Sequence, residues 1–273
     1  MSKPTMRRSR ALGVMVAAVL FAAGCGSSSS DSSSSAPASS TTPVSHTLTV
    51  DAAASLTGAF TELAKTFEAQ NPGWKVVNNF AGTDSLAAQV EAGQKADVFA
   101  GASPTYPEEL QSKNLLGPTT NFATNTLVIV VPASNPAGIT NYQQLVSKQP
   151  KLVIGDPAVP IGAYTIKVLG NLGIEESQLN IVSKEPDVTS VLAKVTTGAA
   201  DAGFVYVTDA LSAGSQVKQV TFPEKAQATA IYPIGVLTAS TNTEAAQKWI
   251  DLVMSSEGQA VLKQLGFGAP PSS

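Results

Sequence analysis

Four short stretches of this chain place hydrogen-bond donors where a strand gives way to a helix: Ser55, Gly82-Thr83, Pro160-Ile161-Gly162 and Asp187-Val188. Tyr206, in the run Gly203-Phe204-Val205-Tyr206-Val207, adds a phenol. The first N–H groups of a helix have no intrahelical acceptor, and the helix dipole leaves a partial positive charge beside them. Hydroxyls, amides and a phenol brought together would form an uncharged cage of donors, which suits a small dianion. Each signal also has a structural reading. Ser55 would serve as an N-cap, worth about 1 kcal/mol. Gly82-Thr83-Asp84-Ser85 would make a tight turn capped by Asp84 or Ser85. Asp156-Pro157 reads as a turn starter, Val188 could offer only its backbone, and Tyr206 would be a core residue with a satisfied hydroxyl.

Bond-making chemistry lacks its parts. Ser55 at a strand-to-helix turn superficially resembles a nucleophile elbow, but the flanking Gly-x-Ser-x-Gly is missing. The sole histidine, His46, lies at the edge of a Ser-rich segment, where it is no positioned base. A serine hydrolase is therefore a remote alternative, and no enzyme activity is expected. One histidine and one cysteine cannot supply zinc-type ligands or a disulfide, so no protein-bound metal and no cofactor are expected.

The elements that would carry these donors follow from periodicity. Leu48 and Val50 alternate as in a strand, and Leu56, Phe60, Leu63, Ala64 and Phe67 recur at helical spacing until Asn71-Pro72-Gly73. A strand over 74–80, a short helix carrying Leu86 and Val90 and a strand over 96–100 complete a strand-helix alternation typical of a parallel sheet with crossover helices. Residues 104–118 read as a loop. A second unit repeats the alternation: strands over 126–131, 152–155, 179–182 and 202–207, with helices over 162–172 and 187–195. Strands over 217–222 and 228–237 and helices over 243–254 and 257–265 follow. The expected fold is α/β, two doubly wound lobes joined by two strands near Asn125 and Tyr232, which makes a hinge over a cleft. Residues 47–125 with 234–273 would form the first lobe and 126–233 the second. Ligands of such sheets sit beyond the carboxyl ends of the strands.

The ends of the chain and its charge narrow the setting. Lys3, Arg7, Arg8 and Arg10 precede an apolar run from Ala11 to Ala23, the pattern of an export signal over 1–24. Ala22-Ala23-Gly24-Cys25 resembles a bacterial lipobox, so Cys25 is expected to carry a lipid that anchors the protein outside the cytoplasm. Residues 26–46, almost all Ser, Ala, Pro and Thr, form a tether, spanning roughly 25 Å on average. Removing the signal leaves 13 basic and 20 acidic residues, a net charge of −7, and no arginine. Such a chain has no basic footprint for nucleic acid, and would hold an anion without a guanidinium clamp.

Taken in order, Ala52-Ala53-Ala54-Ser55-Leu56, Phe80-Ala81-Gly82-Thr83, Glu91-Ala92-Gly93 with Ala96-Asp97-Val98-Phe99, Gly155-Asp156-Pro157 through Val159-Pro160-Ile161-Gly162, and Gly203-Phe204-Val205-Tyr206 resemble one family. It is the periplasmic molybdate-binding proteins, ModA, of ABC importers, and the likeness runs from Leu48 to Phe267, including Phe222-Pro223-Glu224 and Gly266-Phe267. The resemblance implies a type II periplasmic-binding-protein fold closing on molybdate, or tungstate, for delivery to a membrane permease, with the protein a monomer. Carried onto matching positions, Ser55 and Thr83 would donate from hydroxyl and amide, Ile161 and Val188 from backbone amides, and Tyr206 from its phenol. Thr83 stands where the family usually has Ser, and Ile161 where Ala is commoner. A donor-only cage also suits sulfate, while Asp84 and Asp187 keep open a protonated ion such as phosphate. A purely structural lipoprotein would bind none of these.

Overall fold

The computed structural model describes residues 45–271; the expected signal, Cys25 and all of the tether up to residue 44 lie outside it. The first strand, β1 (His46–Ala53), starts at His46, whose ring stacks on Trp74 at 4.9 Å. Its inner residues are buried on both faces, as expected for a strand covered by helices on each side. A 3-10 turn, Ala54–Leu56, leads into α1 (Thr57–Gln70), which buries Phe60, Leu63 and Phe67. Then come β2 (Trp74–Ala81), α2 (Thr83–Glu91), β3 (Val98–Ala100), α3 (Thr105–Ser112) and β4 (Leu116–Asn125).

After Thr126 the chain enters a second sheet with β5 (Leu127–Pro132), α4 (Gln144–Ser147), β6 (Leu152–Gly155), α5 (Pro160–Leu172), β7 (Ile181–Glu185), α6 (Val188–Thr196), β8 (Ala202–Tyr206), α7 (Val207–Ala213) and β9 (Val217–Val220). It returns through β10 (Ala230–Leu237) and ends with α8 (Thr243–Met254) and α9 (Ser256–Gln264). The first sheet has the order β2-β1-β3-β10-β4 and the second β7-β6-β8-β5-β9.

Both sheets are mixed, not wholly parallel. In the first, β1 pairs parallel with β2 and β3, but β10 runs antiparallel to β3 and β4. In the second, β6 pairs parallel with β7 and β8, but β5 runs antiparallel to β8 and β9. The cause is the path of the chain. Strands β1, β3 and β8 run toward the boundary between the sheets, whereas β5 and β10 have just crossed it and run away. The crossings themselves pair, with Ala230 opposite Asn125.

Two elements fall in the stretch expected to be a loop, α3 and the start of β4. Helix α3 buries only Pro107 and Leu110, so it has little apolar periodicity, and its proline is tolerated in the first turn, where the N–H would be unpaired anyway. Strand β4 begins Leu116-Gly117-Pro118 and lies at a sheet edge, one of the few places where a strand accepts proline. The strand expected over 179–182 is Ile181–Glu185, shifted toward the cleft.

Aromatic packing holds the first half together: Trp249 of α8 meets Phe60 edge-on at 5.3 Å and Phe67 at 5.8 Å. Beneath α2 and α3, Leu86, Val90, Phe99 and Leu110 form a second cluster. In the other half Val153, Val168, Val191, Val195 and Phe204 are buried between the sheet and its helices. Among the described residues no helix is long and apolar enough to cross a membrane.

Candidate functional site

The carboxyl ends of β1, β2, β3, β6, β7 and β8 converge on one cavity. Its lining comprises Ala53, Ala54 and Ser55 after β1, Ala81, Gly82 and Thr83 after β2, Ala102 after β3, Val159 to Ile161 after β6, Asp187 and Val188 after β7, and Tyr206 at the end of β8. All five candidate donors therefore border the same space, contributed by both sheets. The cavity is small, with a volume of about 20 Å³. A cavity of this size suits an occupant little larger than a water, such as a small ion. Ser55, Thr83, Ile161, Val188 and Tyr206 are all buried.

The structural readings of these side chains are not what the geometry displays. Ser55 caps no helix; its hydroxyl meets the phenol of Tyr232 at 2.9 Å, and the residue before α1 is Leu56. At α2 the preceding residue is Gly82 and no side chain caps the helix; Thr83 Oγ1 instead accepts the N–H of Ala102 at 3.2 Å. With its oxygen engaged from behind, the Thr83 hydroxyl proton is available to the cavity. The Tyr206 phenol is buried and has no hydrogen-bond partner at all. Burial, with lesser effects of Tyr232, Tyr164 and Asp209, pushes its pKa well above the ordinary tyrosine value, so it keeps its proton and can donate.

The remaining donors come from backbone. Proline stands at the first position of α5, where the absence of an N–H costs nothing, and Ile161 follows with its amide in the unpaired first turn. Gly162 is required there because a β-carbon would lie 1.8 Å from the Asp156 carbonyl oxygen. At α6 the N-cap is Asp187, whose carboxylate accepts the N–H of Ser190 at 2.7 Å, leaving Val188 at the helix start. Asp187 is the acid in the lining, and that capping bond occupies Oδ1. None of the lining residues is a lysine. Asp84 stands in the first turn of α2 with Oδ1 buried and unpartnered, but it does not border the cavity.

The two halves touch around the cavity. Tyr106 of α3 donates its phenol to the Ala158 carbonyl at 2.5 Å across the cleft mouth. At Gly82 a β-carbon would lie 2.5 Å from the Pro186 carbonyl oxygen, so the backbones approach as closely as glycine permits. Three contributions escape sequence reasoning. Tyr232 and Asn125 were expected only as crossing points, yet Tyr232 contacts Ser55, and Asn125 Nδ2 contacts both Thr208 Oγ1 at 2.9 Å and Tyr232 Oη at 3.4 Å. The Ala102 amide is invisible in a side-chain reading. The available signal was an Asn and a Tyr, both able to hydrogen-bond, in the two segments expected to cross between the lobes.

Comparison with known proteins agrees with this architecture. The model of the family described as bacterial extracellular solute-binding protein matches residues 48–268. The molybdate-binding protein ModA of Mycobacterium tuberculosis is 42% identical over 259 residues, covering 94% of this chain and 97% of the relative. ModA of Haemophilus influenzae is 34% identical over 230 residues, covering 81% of this chain and 90% of the relative. The structure of the Azotobacter vinelandii periplasmic molybdate-binding protein superposes with a TM-score of 0.73 at 22% identity, covering 82% of this chain and 100% of that one, which shows a shared periplasmic-binding fold. With a donor-lined cavity between two mixed sheets and relatives matched over nearly their whole length, the chain belongs to the bacterial extracellular solute-binding proteins, in the ModA family.

Proposed function

We propose that this protein captures molybdate, and tungstate with it, outside the cytoplasm and delivers the ion to a membrane permease of the ABC class. The observation that carries this reading is the Tyr206 phenol: a buried donor, held in its protonated form, with no acceptor in the protein, at the edge of a cavity for one small ion. A buried donor left unpaired costs about 1–3 kcal/mol, which an incoming oxygen relieves. Donors come from Ser55, Thr83, Ile161, Val188 and Tyr206, with no cation and no metal ligand of the protein's own. In this reading the protein acts as a binder, in keeping with the solute-binding family it belongs to.

Molybdate is favoured over phosphate because a protonated ion needs an acceptor, and the side chains of the lining offer a single carboxylate, Asp187, whose Oδ1 caps α6 and whose Oδ2 alone is left for that part. The identity of the relatives favours molybdate over sulfate. In this reading 47–125 with 234–273 and 126–233 act as two lobes that close on the ion, the protein works as a monomer, and a lipid on Cys25 keeps it at the membrane. Calorimetric titration of the purified protein with molybdate, tungstate, sulfate and phosphate tests the proposal. Tight binding of the first two is expected, weakened about tenfold or more by Tyr206→Phe, which removes one donor to a charged acceptor. No heat with any of the four salts would reject it.

A further inference from the structure

We infer that Tyr232 is a positioning residue for the anion: it forms, with Asn125, a hydrogen-bond relay that forces the Ser55 hydroxyl to act as a donor into the cavity. The inference rests on the proposed anion site and extends it to residues that do not border the cavity. A hydroxyl can donate or accept, and which it does here follows from the groups behind it.

The relay starts at a group with no choice. The backbone N–H of Thr126 can only donate, and it donates to Asn125 Oδ1 at 2.9 Å. That contact fixes which end of the Asn125 amide is oxygen, so Nδ2 faces the other way and donates to Thr208 Oγ1 at 2.9 Å and, at a longer 3.4 Å, to Tyr232 Oη. Tyr232 Oη thus receives a proton donor from Asn125 and has one remaining neighbour, Ser55 Oγ at 2.9 Å. Its pKa is raised beyond the ordinary tyrosine value, chiefly by burial, so it holds its own proton and must send it to Ser55. Ser55 Oγ then accepts from Tyr232 and is left with its proton directed elsewhere, to the cavity it borders. Chains of this kind polarise each member, so the last donor is also strengthened.

The positions of the members give the relay a further property. Asn125 ends β4 and Thr126 follows it, at one crossing between the sheets, while Tyr232 lies on β10, the other crossing. A register shift between Tyr232 and Pro233 interrupts the β10–β4 ladder beside the phenol, and such irregularities re-aim side chains next to sites. The direction of the Ser55 proton is therefore set by the two segments on which the halves would turn.

A double-mutant cycle read by molybdate calorimetry tests this. Tyr232→Phe keeps the ring that packs on Phe122, Tyr206 and Phe267 and removes only the relay oxygen. Affinity for molybdate is expected to fall roughly five- to twentyfold in the parent and less than about twofold in the Ser55→Ala background, because the relay acts through Ser55. The molybdate-to-phosphate affinity ratio should fall as well, since a released Ser55 hydroxyl can turn to accept. A packing defect would weaken both ions alike and in both backgrounds. As a second variant, Asn125→Ala should weaken molybdate binding in the parent and not in the Tyr232→Phe background. Equal losses with and without Ser55, or an unchanged affinity in Tyr232→Phe, would overturn the relay while leaving the anion site standing. Failure of the parent protein to bind molybdate would overturn both.

Discussion

Asp209 is buried three residues after Tyr206, and its carboxylate accepts the Tyr206 N–H at 3.2 Å. Burial outweighs that bond and raises its pKa from 3.8 to about 7. Between these two values the folded protein keeps a proton that the unfolded chain has released, so this contribution to stability falls as pH rises from about 4 to 7 and is level above. Asp209→Asn keeps an acceptor for the Tyr206 N–H and has no charge to bury. It should match the parent near pH 4 and exceed it at pH 8 by up to about 4 kcal/mol, at about 1.4 kcal/mol per pKa unit. Urea unfolding at the two pH values measures this, and an equal difference at both would contradict it. At the same scale, the strand-to-helix turns that bring Ser55, Thr83, Ile161 and Val188 to one cavity with Tyr206 were readable from periodicity, but no single residue type marked a donor there, Ile161 and Val188 being apolar, and the set came from the ordered resemblance to the ModA family. Their partners were not legible. Ser55 and Tyr232 are 177 residues apart, and only the folded chain brings a hydroxyl to a phenol across that distance.

Elements decide whether donors from separate sheets can reach one ion. The turn from β2 to α2 passes so near the turn from β7 to α6 that a β-carbon on Gly82 would stand 2.5 Å from the Pro186 carbonyl and 2.5 Å from Asp84 Oδ1. The Asp84 side chain can swing away, but the Pro186 carbonyl can recede only if the halves part. The φ of Gly82 is −59°, a value alanine accepts without strain. Gly82→Ala should therefore leave ligand-free stability within about 1 kcal/mol of the parent, yet lower molybdate affinity by about tenfold or more. Unfolding without ligand and calorimetry with it separate the two effects; full affinity in the variant would mean that the close approach does not matter. Element existence was readable wherever apolar spacing was strong, as in α1 and β5. It failed at α3 and β4, where Pro107, Pro118 and exposed polar residues resemble a loop and only the sheet edge and first-turn position make them tolerable. The mixed pairing was also hidden, because local sequence reports a strand and not the direction from which it enters a sheet.

Across the whole molecule, the described residues carry 13 lysines, no arginine and 19 acidic side chains, while the proposed ligand carries two negative charges. Long-range electrostatics therefore oppose the encounter, and binding depends on donors in contact with the ion. These two contributions respond differently to salt. Bulk ions screen the opposing field beyond about 8 Å at physiological ionic strength, but do not enter a buried cage to compete for amides and hydroxyls. Raising salt from about 0.02 to 0.5 M should thus speed association and leave molybdate affinity level or modestly higher. A site built on lysine or arginine would do the reverse, losing affinity as its attraction is screened. Stopped-flow association and calorimetry over a chloride series distinguish the two, and an affinity that falls severalfold with salt would show that a cation contributes to the cage. In the proposed reading the negative surface has a definite part: it would set how fast the ion arrives, while the neutral donors of Ser55, Thr83, Ile161, Val188 and Tyr206 would set how long it stays.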